Sequence, residues 1–225
     1  MSKFLKIIII IFLSLLLCAG IIWFVGFRFY NSVFRLSFDQ VTTSLENTPT
    51  QCKKFTDCKL LPGDIILRRY ITPTTIFFDE ILDPYFTHSV FYLSDDEIFE
   101  AVGNYPAPED QILISKLSKS DWLNADMDNF VIVRPKNYSG KLDYIVSELK
   151  TIANDPEYIF GPLKEGQKKV SCSDVILKYL SDEKIILNLP NIPKIITPDY
   201  LFWVTEKDRS NFEIVGYNIN QKFSK

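Results

Sequence analysis

From Ile7 to Phe27 the chain runs for 21 residues without a charge, between Lys6 and Arg28. A helix of that length rises roughly 30 Å, the thickness of a bilayer's hydrocarbon core, so the run predicts one N-terminal transmembrane helix. A cleaved signal peptide is the main rival, but its apolar region is usually about 7 to 15 residues and ends in a small-x-small site. The only such site, Leu17-Cys18-Ala19, fits poorly. Lipidation at Cys18 is disfavoured by Leu17 before it and by the apolar sequence after it. Lys3 and Lys6 favour a cytoplasmic N-terminus, a bias that Arg28 and Arg35 on the far side weaken. The expectation is a single-pass membrane protein with residues 1–28 as anchor, 29–59 as juxtamembrane linker and 60–225 as an extracytoplasmic domain.

About two hundred of the 225 residues remain beyond the anchor, enough for one core. Hydrophobic side chains make up 47% and aromatics 14% of the chain, which excludes a disordered class. The net charge is −3 from 25 basic and 28 acidic residues; without Lys3, Lys6 and Arg28 it is 22 against 28. The basic pairs Arg68-Arg69 and Lys168-Lys169 are too short to track phosphates, so nucleic acid is excluded as a partner. Cys52 and Cys58 stand six apart in a polar stretch and could bridge in an oxidising compartment. Two unrelated thiols are the alternative, and a zinc site is weaker because no histidine is near.

The domain opens on the turn Leu61-Pro62-Gly63-Asp64. Strands are predicted at Ile65–Arg68, His88–Leu93, Glu97–Val102, Gln111–Ser115 and Phe130–Arg134, with Ser94-Asp95-Asp96 as the turn between the second and third. Leu142, Ile145, Val146, Leu149 and Ile152 recur at helical spacing. A second helix is expected from about Cys172 to Leu180, followed by Pro190, Pro193 and Pro198 as breakers. Thr197-Pro198 reads as a helix start, with Tyr200, Leu201 and Trp203 buried, and Phe212–Tyr217 as a last strand.

His88 is the one histidine in the chain, at the start of a strand. Glu100 follows twelve residues on. A turn with an odd number of residues, as Ser94 to Asp96 provides, would put both side chains on one sheet face, where a carboxylate can orient an imidazole. Cys172 stands at a predicted helix start, where unpaired backbone N–H groups favour a thiolate and can hold an oxyanion. The plainer readings are a buried free thiol, a structural histidine and a solvated carboxylate.

The order of these features resembles the permuted papain-fold enzymes of the NlpC superfamily, including the YiiX-like amidases and the lecithin retinol acyltransferase-like group. The resemblance runs from about Leu60 to Val204. It rests on Pro62-Gly63-Asp64-Ile65-Ile66-Leu67, Thr87-His88-Ser89-Val90-Phe91-Tyr92, Ile98-Phe99-Glu100-Ala101, Val131-Ile132-Val133-Arg134, Ser171-Cys172-Ser173-Asp174 and Thr197-Pro198. Tyr158 is followed by Ile159 where that family often has Asp, and Asp174 stands where Glu is common. The resemblance implies an α+β, circularly permuted papain-like fold with an antiparallel sheet packed against helices. It also implies a Cys172-His88-Glu100 triad that needs no cofactor, and a substrate pocket involving Tyr158, Tyr92 and Ser173. The substrate it implies is an amide of a cell-wall peptide or a lipid acyl group. The aromatic-rich stretch Ile76 to Phe86, just before His88, suits material beside a membrane, at the periplasmic side of a bacterial inner membrane. A binding module of the same fold without turnover is the second class.

Overall fold

The computed structural model describes residues 11–12, 14–18, 20–21, 33–69, 84–102, 111–117, 129–136, 139–161, 166–186, 189, 192–193 and 195–219. Most of the apolar run therefore lies outside the described residues, as do residues 76–83 of the aromatic-rich stretch. Residues 11–12, 14–18 and 20–21 are helical. Among the described residues no helix is long and apolar enough to cross a membrane.

The fold is α+β, an antiparallel sheet packed against helices. Strands β1 (Ile65–Arg68), β2 (His88–Ser94), β3 (Glu97–Val102), β4 (Gln111–Lys116) and β5 (Phe130–Pro135) join the last strand of the chain, Phe212–Asn218, in the order β4-β3-β2-β1-β5-last. Every pairing in this six-stranded sheet is antiparallel. All four residues of β1 are buried, so it lacks the polar alternation of a half-exposed strand.

The two faces of the sheet are covered differently. Ile65, Leu67, Phe91, Leu93, Phe99, Ala101, Val131 and Val133 face the main core, which the helices complete. Ile66, Val90, Ile98, Phe130, Ile132 and Val215 form a smaller cluster on the other face under Phe55. The helices are α1 (Phe38–Leu45), α2 (Ser139–Asn154), α3 (Cys172–Asp182) and α4 (Pro198–Lys207). A short parallel pair, β6 (Ile159–Phe160) and β7 (Lys169–Val170), leads into α3; the last strand is β8.

Residues 33–59 differ from the linker expected of them. Val41 and Leu45 of α1 lie in the main core, and Phe55 covers the second cluster. Thr197 Oγ1 donates to Phe34 O at 2.8 Å, and Phe34 packs edge-on against Tyr200. Cys52 and Cys58 are joined by a disulfide with a Cα–Cα distance of 5.2 Å. A Cβ built on Gly216 of β8 would stand 2.3 Å from Cys52 Sγ, so only glycine leaves room for the bridge against the strand. The structured domain thus starts well before residue 60, because a few apolar side chains dock an otherwise polar segment.

Candidate active site

The site is assembled at the end of β1 marked by Arg68, which the register sets opposite His88 on β2. The chain into His88 is held firmly. Asp199, fully buried at the start of α4, accepts the N–H groups of Leu36, Tyr85 and Phe86 at 2.7–2.8 Å. Burial outweighs the pull of these three backbone donors towards the charged form and leaves its carboxyl raised to about 7. Arg69 Nη1 donates to Pro84 O and Tyr85 O at 3.2 and 3.1 Å, and Thr87 N to Arg68 O at 2.9 Å.

His88 and Glu100 share a sheet face, for a reason other than a three-residue turn. Ser94 pairs with Glu97, so the hairpin turn is only Asp95-Asp96, both with positive φ (47° and 72°) as in the primed turns that suit hairpins. On its own, an even turn would set Glu100 on the face away from His88. The register shifts by one between Tyr92 and Ser94, where Phe91 pairs with Phe99 and Tyr92 with Ile98. That bulge restores the expected parity. His88 Nε2 lies 3.4 Å from Glu100 Oε2, and Ser115 of β4 donates its hydroxyl to Glu100 Oε1.

Cys172 is the first residue of α3. Ser171 caps the helix, its Oγ accepting the N–H of Asp174 at 3.3 Å. The N–H of Cys172 belongs to the first turn, which has no intrahelical acceptors, and is available to a developing oxyanion. His88 and the hydroxyl and backbone N–H of Ser89 are close enough to the thiol to favour its charged form. Burial pushes the thiol up, but His88 and Ser89 outweigh it and bring it down to about 7. Burial likewise pulls His88 down, and its bonds to Cys172 and Glu100 outweigh that, raising it to about 9. Between these values the favoured state is a thiolate beside an imidazolium.

The structure therefore brings Cys172, His88 and Glu100 together. The three expected pocket residues fare differently. Ser173 is next to Cys172 but fully buried, so it does not line a substrate surface. Tyr92 points its hydroxyl at the hairpin, accepting the N–H of Asp96 at 3.1 Å. Tyr158 is half-buried under Lys168, whose Nζ lies 5.6 Å from the ring centre. Sequence reasoning missed Ser115 and Ser89, since a lone serine on a strand carries no signal by itself. The signal for Ser89 is its alternation with Phe91 and Leu93, which puts a hydroxyl on an apolar face. Among the described residues no group of acidic, cysteine and histidine side chains could hold a metal ion. No known family model matches the chain, and no curated protein matches it.

Proposed function

We propose that the chain is a cysteine-dependent hydrolase or acyltransferase of the permuted papain type, acting on an amide or acyl ester beside a membrane. The observation that carries this reading is the half-buried Cys172 thiol beside His88, each favouring the charged form of the other, with Glu100 3.4 Å from the imidazole. Base and third residue precede the nucleophile along the chain, the order a permuted papain fold requires.

In the proposed cycle the Cys172 thiolate attacks the carbonyl carbon, and the N–H of Cys172 takes the oxyanion. The His88 imidazolium gives its proton to the leaving amine or alkoxide as the carbon–heteroatom bond breaks, leaving a thioester. Water, or an acceptor hydroxyl or amine, then loses a proton to His88, adds to the thioester and releases the thiolate. Glu100 orients the ring and stabilises its charged form throughout. The scheme needs no metal or organic cofactor, because the side chains supply both nucleophile and proton carrier.

Membrane anchoring through Ile7 to Phe27 belongs to the same proposal. It is supported by Ile11, Phe12, Leu15, Leu16, Leu17 and Ile21, which are helical and 54–67% exposed. Apolar side chains in that state call for a hydrocarbon environment. The substrate proposed is a cell-wall peptide or a lipid acyl group, and release of neither from purified envelopes would count against it.

The test is alkylation of the full chain in detergent with iodoacetamide across pH, mapped by mass spectrometry. Cys172 is expected to label fast near neutral pH and slowly in His88→Ala, while Cys172→Ala keeps the fold and loses turnover. Slow labelling indifferent to His88 would overturn the reading.

A further inference from the structure

We infer that Ser89 and Ser173 are positioning residues, a buried hydroxyl brace that fixes the nucleophile against its base and turns a proton towards the sulfur. The inference rests on the Cys172–His88 reading above. Ser89 is the chain neighbour of His88, and Ser173 is the chain neighbour of Cys172. Their hydroxyls are 3.1 Å apart, joining β2 to α3 one residue from each member of the pair. Both residues are fully buried. Ser89 shares its strand face with Phe91 and Leu93, which belong to the main apolar core.

A proton count gives the brace its second role. Two hydroxyls joined by one hydrogen bond use one of their two protons, and the other must find an acceptor in an apolar setting. Cys172 Sγ is 3.8 Å from Ser173 Oγ, so Ser173 stands between the Ser89 hydroxyl and the sulfur. When Ser89 donates to Ser173, Ser173 directs its own proton at the sulfur, and a thiolate is the better acceptor of the two sulfur states. A brace of this kind therefore fixes geometry and favours the charged nucleophile together.

The experiment is the pH dependence of iodoacetamide labelling of Cys172 in the full chain in detergent, for wild type, Ser89→Ala, Ser173→Ala and the double variant. A single substitution leaves one buried hydroxyl without its mate. The double variant removes both and so keeps near wild-type thermal stability. The expected result is a labelling midpoint raised by about one pH unit, with roughly a fivefold slower reaction at pH 7. The double variant should be no worse than the more damaging single one, since both act on one sulfur. An unmoved midpoint in variants with a lower melting temperature would make the brace purely structural and overturn the inference. That outcome leaves the proposed enzyme standing when the wild-type thiol is activated and His88-dependent. A wild-type thiol that is not activated would sink both.

Discussion

Near the two ends of β1 a buried carboxylate meets a cationic partner, Asp64 just before the strand with Arg134 and Glu100 of β3 with His88, and the two pairs are built for opposite purposes. At one end Asp64, with no exposed surface, takes two bonds from Arg134, Nε to Oδ1 and Nη2 to Oδ2, both at 2.7 Å, and a third from Leu61 N at 2.8 Å. At the other end Glu100 faces His88 across one contact of 3.4 Å, with Ser115 on its second oxygen. A guanidinium keeps its charge at any physiological pH and its planar fork locks two oxygens. An imidazole can lose its proton and has one nitrogen to offer each neighbour. The first pair fastens the turn before β1 to β5; the second is free to change charge during a reaction.

Breaking the locked end should have the larger effect. Arg134→Ala leaves Asp64 buried without its cation and is expected to cost about 3–5 kcal/mol, measured by urea unfolding, while the Cys172 labelling midpoint stays put. Arg134→Lys keeps the charge but loses the fork and should recover only part. If the labelling midpoint moved with Arg134→Ala, the two ends would not be independent.

The reactive end should lose rate instead of stability. Glu100→Gln is expected to slow turnover on the order of a hundredfold, with little change in melting temperature. The wild-type rate should rise as Cys172 ionises near pH 7 and fall as His88 deprotonates near pH 9. The stability signs follow from the same shifts. Folding raises His88 above its ordinary 6.5, so its contribution is complete below that value and is lost as pH rises through about 9. Folding lowers Cys172 below its ordinary 9.0, so its contribution is complete above that value and is lost as pH falls through about 7. Arg134 keeps its proton over this range and adds no slope, which a pH series of unfolding curves for Arg134→Ala and His88→Ala would separate.

A smaller effect sharpens the locked end. Gly63 has φ +95°, and a Cβ there would meet Leu142 Cδ1 at 2.6 Å. Gly63→Ala should cost about 1–2 kcal/mol, part of it relieved by Leu142→Ala, since the backbone strain remains after the clash is gone. Full relief in the double variant would place the whole cost in the clash.

Sequence patterns carried much of this architecture because the relevant signals are local. Ser171 before Cys172 and Thr197-Pro198 are helix starts that depend on the first turn alone, and both helices begin there. The face shared by His88 and Glu100 was legible from parity, but the turn has two residues and the bulge supplies the third. A bulge depends on cross-strand pairing, which one strand's sequence does not display. Residues 33–59 read as a linker because Phe34, Leu36, Val41, Leu45 and Phe55 are scattered among polar residues, and only long-range docking gathers them. Tyr92 and Ser173 stand close in sequence to His88 and Cys172, and that closeness alone does not place a side chain in a pocket. Tyr92 keeps His88's strand face, but its hydroxyl serves the hairpin, and Ser173 is buried in the first turn of α3.

The bulge between Tyr92 and Ser94 also sets a rule for how this hairpin can change length over generations. With the bulge kept, adding or removing one residue between His88 and Glu100 would carry the carboxylate to the opposite side of the sheet, whereas a two-residue change preserves its side. Related hairpins that keep both this pair and the bulge should therefore differ in length by even steps, and those that lose the bulge by an odd one, a counting constraint that falls on residues remote from the reacting atoms.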